Sequence, residues 1–204
     1  MRKNRFLLLV FLCSWIITSA GCSQREVINT GSKGKNIICF GDSLTFGYGV
    51  NPGENYPTML GKLLKFPVLN KGIDGDTTSE GLRRLKNDVL DHDPRLVIIE
   101  FGGNDFLKKI PKGTTIDNIR QMVDSIQAQG AMVAIVDVSA GLILKECRSD
   151  LYRLALSKKA IFISSVFGGI ITNPRLKSDF LHPNAFGYKL IAQRIYKAIA
   201  PYLN

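Results

Sequence analysis

Histidine is almost missing from this chain: only His92 and His182 occur in 204 residues. Neither belongs to an HxH or HExxH pair, and there is no CxxC, so the clustered donors that a transition-metal site needs are not there. Cysteine is sparse, with four residues. Cys39 in an apolar run and Cys147 in a helix-period stretch read as buried thiols rather than a bridge. Acidic residues are outnumbered, 17 against 27 Lys and Arg, which leaves a formal charge of +10. Such a balance suits anionic membrane surfaces, but the cations are scattered without a polybasic block, and a basic soluble face is the simpler expectation. Nucleic acid is not an expected partner, because no binding motif accompanies the charge. No Pro- or Ser-rich tract and no internal repeat divides the chain.

Long apolar runs are also lacking. The longest, residues 6–20, has fifteen residues, short of the ~20 that span a bilayer. It follows Arg2, Lys3 and Arg5, the pattern of a secretory signal over residues 1–21. Ser19-Ala20-Gly21-Cys22 resembles the lipobox of bacterial lipoproteins, departing at Ser19, where leucine is usual. The resemblance implies cleavage before Cys22 and acylation of its thiol. The alternative is ordinary cleavage near Ala20 or Gly21, releasing a free chain. Residues 22–35, polar and containing Gly31 and Gly34, read as a tether. Residues 36–204 read as one domain, and the 183 residues from Cys22 onward, with a charge of +7, suffice for a sizeable core.

What is present alternates regularly. Apolar runs at 36–40, 68–70, 96–101, 132–136 and 160–163 lack polar alternation, as expected of strands buried on both faces of a parallel sheet. Helix-period stretches fall between them at 58–65, 79–89 (capped by Ser79 or Thr78), 115–129, 146–158 and 185–200. In the third, Ile116, Ile119, Val123 and Ile126 form one stripe, closed by Gly130. The alternation predicts an α/β fold: a three-layer α/β/α domain on a five-stranded parallel sheet with right-handed crossovers. In such sheets ligands bind beyond the carboxyl ends of the strands. Gly41-Asp42-Ser43, Gly72 to Gly75 and Gly103-Asn104 each follow a strand, so all three are expected at one edge.

Ser43 sits where a buried strand turns towards a helix. That is the place of a nucleophile, but equally of a helix N-cap or a phosphate-binding turn. The segment is neither a G-x-S-x-G elbow nor a P-loop. A serine nucleophile needs a base titrating near neutrality. His92 lies in a polar connector at the amino end of the third strand and is expected to be solvated. His182 lies just before the last helix, and Asp179, three residues earlier, can reach its Nδ1–H and fix the tautomer. Gly75 offers a backbone N–H and Asn104 an amide to a tetrahedral oxyanion, although a tight turn or a cap explains either residue alone. Phe106, Leu107 and Ile110, with residues 166–171, would form an apolar acyl slot or pack beneath their own loops.

Taken together, these islands resemble the GDSL, or SGNH, hydrolase superfamily. Gly41-Asp42-Ser43-Leu44 resembles its first block, Asn70 to Thr78 its second, Gly102-Gly103-Asn104-Asp105 its third, and Asp179-Phe180-Leu181-His182-Pro183-Asn184 its fifth. The resemblance is greatest to small exported bacterial esterases of the thioesterase I, lysophospholipase L1 and arylesterase group. It implies a flavodoxin-like sheet and no cofactor. It also implies Ser43 as nucleophile, His182 as base, Asp179 as orienting acid, and an oxyanion hole of Ser43 N–H, Gly75 N–H and Asn104. The expected activity is hydrolysis of acyl esters, thioesters or lysophospholipids through an acyl-enzyme. The expected place is the bacterial envelope, with the chain lipid-anchored and facing the periplasm, on the outer membrane where there are two membranes. A deacetylase of cell-wall or exported polysaccharide, and a catalytically silent envelope binding protein on the same scaffold, are the alternatives. Oligomeric state is not legible.

Overall fold

The structure, a computed structural model, describes residues 26–139 and 145–203; the signal run, the cleavage site and Cys22 lie outside them. Five parallel strands, β1 (Asn36–Gly41), β2 (Val68–Gly72), β3 (Pro94–Glu100), β4 (Met132–Val136) and β5 (Ile161–Ile163), form one sheet in the order β2-β1-β3-β4-β5. The unbroken apolar runs are strands for the reason expected. Ile37 to Phe40, Leu96 to Ile99 and Met132 to Val136 are buried under helices on both faces. Helices α2 (Tyr56–Leu64) and α7 (Ala185–Ile199) pack together, as do α3 (Thr78–Asp88) and α5 (Lys112–Ala128), while α6 (Lys145–Ser157) packs beside α5. Two short helices, α1 (Ser43–Phe46) and α4 (Gly103–Leu107), directly follow β1 and β3.

Several boundaries differ from the sequence pattern. β3 starts at Pro94, paired with Asn36, because proline's fixed φ suits a first strand residue. α3 is capped by Thr77 rather than by Thr78 or Ser79, since Thr77 and Glu80 close a reciprocal capping box. α5 starts at Lys112, behind Pro111. The tether boundary also moves: Ile28 N–H bonds Lys159 O at 3.1 Å, and the Asn29 amide bonds Gln127 O and Ala131 O. Residues from 26 onward are therefore docked on the domain rather than free.

The strand order reverses between β1 and β3. From β1 the chain first goes outward to β2 and then crosses back to β3, leaving a crevice at the carboxyl ends of these two central strands. Ser43 follows β1 and Asn104 follows β3, so the switch point brings them together.

Candidate active site

The turn after β1 is built by packing. A Cβ on Gly41 would collide with Thr45 Oγ1 and with the Glu100 carboxyl, so only glycine lets β1 turn this tightly against β3. Asp42 caps α1, its Oδ1 accepting the Leu44 N–H at 3.1 Å. This leaves Ser43 at the first helical position, 8% exposed, with its hydroxyl at the crevice.

The partner arrives from the other end of the chain. Residues 178–182 form a closed loop in which Ser178 N–H bonds His182 O at 2.9 Å, and Lys177 pairs with Pro183. Within it Asp179 Oδ1 accepts the N–H groups of Leu181 and His182, both at 2.7 Å, and its Oδ2 lies 2.8 Å from His182 Nδ1. His182 Nε2 is then 3.0 Å from Ser43 Oγ. The Tyr48 ring, 4.4 Å away by centroids, backs the imidazole. Desolvation works to raise the Asp179 carboxyl, but the His182 N–H, the imidazole and the Leu181 N–H outweigh it and hold the group at about 2.

Opposite Ser43 lie the other two islands. Gly75 has φ +79° with nothing near its missing side chain, a left-handed turn that favours glycine. Lys108 Nζ fastens this turn by donating to Gly75 O at 2.9 Å. Among the described residues, neither the Ser43 nor the Gly75 N–H donates to a protein acceptor. Asn104 Nδ2 donates to Asp76 O at 2.9 Å and, less closely, to Asp42 Oδ2 at 3.3 Å. The longer bond is the one an oxyanion in the crevice would compete for.

Three supporting residues were given no role in the sequence reading of the site. Arg84 donates to Gly41 O, Lys71 O, Asp76 and Asp88, stacking over Phe40 at 4.4 Å. It joins the carboxyl ends of β1 and β2 to the loop that carries Gly75. Buried Asp105 accepts Thr78 N–H at 2.9 Å, together with the Thr78 and Thr115 hydroxyls, and so fixes α4 to the start of α3. Glu100, 1% exposed, accepts from Thr45 Oγ1 at 2.8 Å, and Thr45 also meets Tyr56 OH. Its Oε1 finds no N–H or O–H donor, and its companion there is Asp42. Two buried carboxylates cannot both stay charged at contact. Burial and then the Asp42 charge push Glu100 well above the usual carboxylate range, while burial raises Asp42 to about 6. Both causes favour the protonated form of Glu100 beside Asp42. A glutamate closing the apolar run Leu96-Val97-Ile98-Ile99 was the available signal for it; Arg84 and Asp105 left none.

One expectation is corrected, and one open alternative is decided for part of its residues. His92 is not simply solvated: it is half-buried, its Nε2 accepting from Lys71 Nζ at 3.1 Å, because the short turn holding it folds against β2. Val166, Phe167 and Ile170 are at most 3% exposed and belong to the core rather than to a slot, whereas Phe106 and Leu107 are exposed.

Comparison with known proteins agrees with this geometry. Residues 39–190 match the family model of the GDSL-like lipase/acylhydrolase family. The chain is 29% identical to an arylesterase of Vibrio mimicus over 83% of its own length and 90% of the relative's. It is 28% identical to thioesterase 1/protease 1/lysophospholipase L1 of Escherichia coli K12, over 82% and 85% respectively. Among solved structures it resembles the psychrotrophic esterase EstA from Pseudoalteromonas, inhibited by monoethylphosphonate, with a TM-score of 0.75, 26% identity, and coverage of 83% and 99%. With the family model spanning most of the chain, the fold shared and a serine–histidine pair at the switch point, the chain belongs to the GDSL-like lipase/acylhydrolase family, the SGNH hydrolases, and is a carboxylic-ester hydrolase by class.

Proposed function

We propose that this chain is an envelope-tethered serine esterase acting on acyl esters, thioesters or lysophospholipids through an acyl-enzyme. One observation carries the reading: the 3.0 Å approach of His182 Nε2 to Ser43 Oγ, in a chain that continues from His182 Nδ1 to Asp179 at 2.8 Å. Ser43 Oγ attacks the acyl carbonyl as His182 Nε2 takes its proton, and Asp179 stabilises the imidazolium. The carbonyl oxygen, now an anion, is received by the Ser43 and Gly75 N–H groups and the Asn104 amide. His182 returns the proton to the departing alkoxide or thiolate, leaving the acyl group on Ser43. Water, deprotonated by the same imidazole, then releases the carboxylic acid and restores the serine. The names of the relatives, an arylesterase and a thioesterase/lysophospholipase, support this substrate range.

The lipobox-like Ser19-Ala20-Gly21-Cys22 supports anchoring through Cys22, with the enzyme facing the periplasm or the outer side of the membrane. Hydrolysis of p-nitrophenyl esters of graded chain length tests the activity, with Ser43→Ala as control. The variant is expected to lose nearly all turnover. Equal rates in both proteins would remove Ser43 from the mechanism. Activity confined to acetyl esters would instead favour a polysaccharide deacetylase.

A further inference from the structure

The exposed apolar side chains of this molecule are gathered on one edge. Of the ten large ones among the described residues, only Leu63 on α2 and Leu156 on α6 lie elsewhere. Phe46 ends the short helix that begins with Ser43, and Ile73 follows β2 beside it; they are 52% and 45% exposed. Phe106 and Leu107 end the helix that bears Asn104. Phe180 and Leu181 stand at the tip of the loop between Asp179 and His182, and Phe186 opens α7 immediately after it. Phe180 is 84% and Phe186 71% exposed, an extent that a groove for one acyl chain does not explain. The residues surround the crevice mouth rather than line its floor.

Cations accompany them. Lys177 Nζ lies 5.1 Å over the Phe180 ring, and exposed Lys108 and Lys109 directly follow Leu107. The acids facing this edge are Asp74, Asp179 and Glu80. Asp179 is already paired with His182, and Glu80 lies 3.8 Å from Lys108 Nζ, which leaves Lys177 and Lys109 as the cations without a carboxylate partner among the described residues. Protein interfaces are depleted in lysine at their centre. Aromatic rings with lysines whose stems lie along them are instead the chemistry of the layer where phospholipid headgroups meet acyl chains. The net charge of +7 on the residues from Cys22 onward favours the anionic form of that surface.

We propose that this rim rests on a bilayer containing anionic phospholipid, with Phe180 and Phe186 in the interfacial layer and Lys177 and Lys109 against the phosphates. The crevice then opens onto the membrane, and an amphiphilic ester enters without crossing water. The proposal rests on the hydrolase reading for its substrate but not for the docking itself.

The test uses the full chain carrying Phe186→Trp, with the wild type, whose one tryptophan is Trp15, as background. Vesicles of phosphatidylcholine and phosphatidylglycerol containing acyl-brominated lipid should quench the added fluorophore. Pure phosphatidylcholine should quench it less, and rising salt should weaken the effect. No quenching above background overturns the proposal, even in a chain held at the vesicle by its amino terminus or docked on a protein instead. A second variant, Phe180→Ser with Phe186→Ser, should hydrolyse vesicle-borne lysophospholipid roughly tenfold more slowly, since interfacial binding scales with the apolar area immersed. Its rate on dissolved p-nitrophenyl butyrate should not change. Equal retention of both rates also overturns the proposal. A wild type inert towards dissolved ester would sink the hydrolase reading and leave the quenching result standing.

Discussion

Asn104 Nδ2 lies 3.3 Å from Asp42 Oδ2, so the amide facing the crevice is steadied by the carboxylate next to Ser43, the proposed nucleophile. Asp42 also caps α1 through its other oxygen, which fixes Ser43. One side chain thus sets the relative position of the hydroxyl and a proposed oxyanion donor. In Asp42→Asn the replacement can keep the cap only by turning its own NH₂ towards Asn104, setting donor against donor. Turnover should fall about 10²-fold, the scale of one lost oxyanion donor, with the Michaelis constant moving only a few-fold. Steady-state kinetics on p-nitrophenyl butyrate checks this, and a loss confined to the Michaelis constant would contradict it.

Arg84 ties the same site together from below. It binds the carbonyl oxygens of Gly41 and Lys71 and the Asp76 carboxylate, whose own backbone oxygen holds Asn104. Arg84 and Asp76 side chains are 15% and 12% exposed. Arg84→Met would leave Asp76 charged and unpaired in a largely dry place, at a cost of about 3 kcal/mol. Urea unfolding should show that loss as a lower midpoint with an unchanged slope. Arg84→Lys, which supplies charge without the planar fork, should recover only part of it.

These two residues mark where sequence reading stops. Ser43, Asp179 and His182 were legible because each is chemically exceptional at its position: a serine after a buried strand, and one of two histidines with an acid one turn away. The strands were legible because burial on both faces leaves no polar alternation. Arg84 looked like any helix-surface cation, since its partners come from β1, β2 and the following loop and meet only in three dimensions. Thr77 lost its place as cap to Thr78 and Ser79 because all three are good caps, and only the Glu80 side chain decides among them. α1 and α4, at four and five residues, are too short to show a period.

Asp179→Asn separates orientation from structure. An asparagine oxygen can still accept the N–H groups of Leu181 and His182, so the loop should keep its shape. Its NH₂ would then face His182 Nδ1 and force the opposite tautomer, leaving Nε2 with a hydrogen where a base is needed. Turnover should fall roughly 10³–10⁴-fold with only a modest loss of thermal stability, that of the exposed charge which the loop's N–H groups favour. Because the wild-type carboxyl titrates near 2, its ionisation should leave no trace in the pH–rate profile between pH 5 and 9.

The Asp42–Glu100 pair makes stability depend on pH in an uncommon direction. Burial raises Asp42 from its ordinary 3.8 to about 6, and burial together with the Asp42 charge raises Glu100 further above its ordinary 4.5. The folded protein keeps protons that the unfolded chain would release, so stability from this pair is complete below about pH 4 and declines as pH rises through about 6. Glu100→Gln imitates the protonated acid without titrating. Its melting temperature should therefore gain on the wild type as pH rises from 5 to 8, and its turnover should stay within a few-fold. Glu100→Leu strips Asp42 and Thr45 of their buried partner and should lose both activity and stability at every pH. Calorimetry of the three proteins across that range checks the sign. A Gln variant that falls behind the wild type as pH rises would mean that Glu100 is ionised in the folded protein.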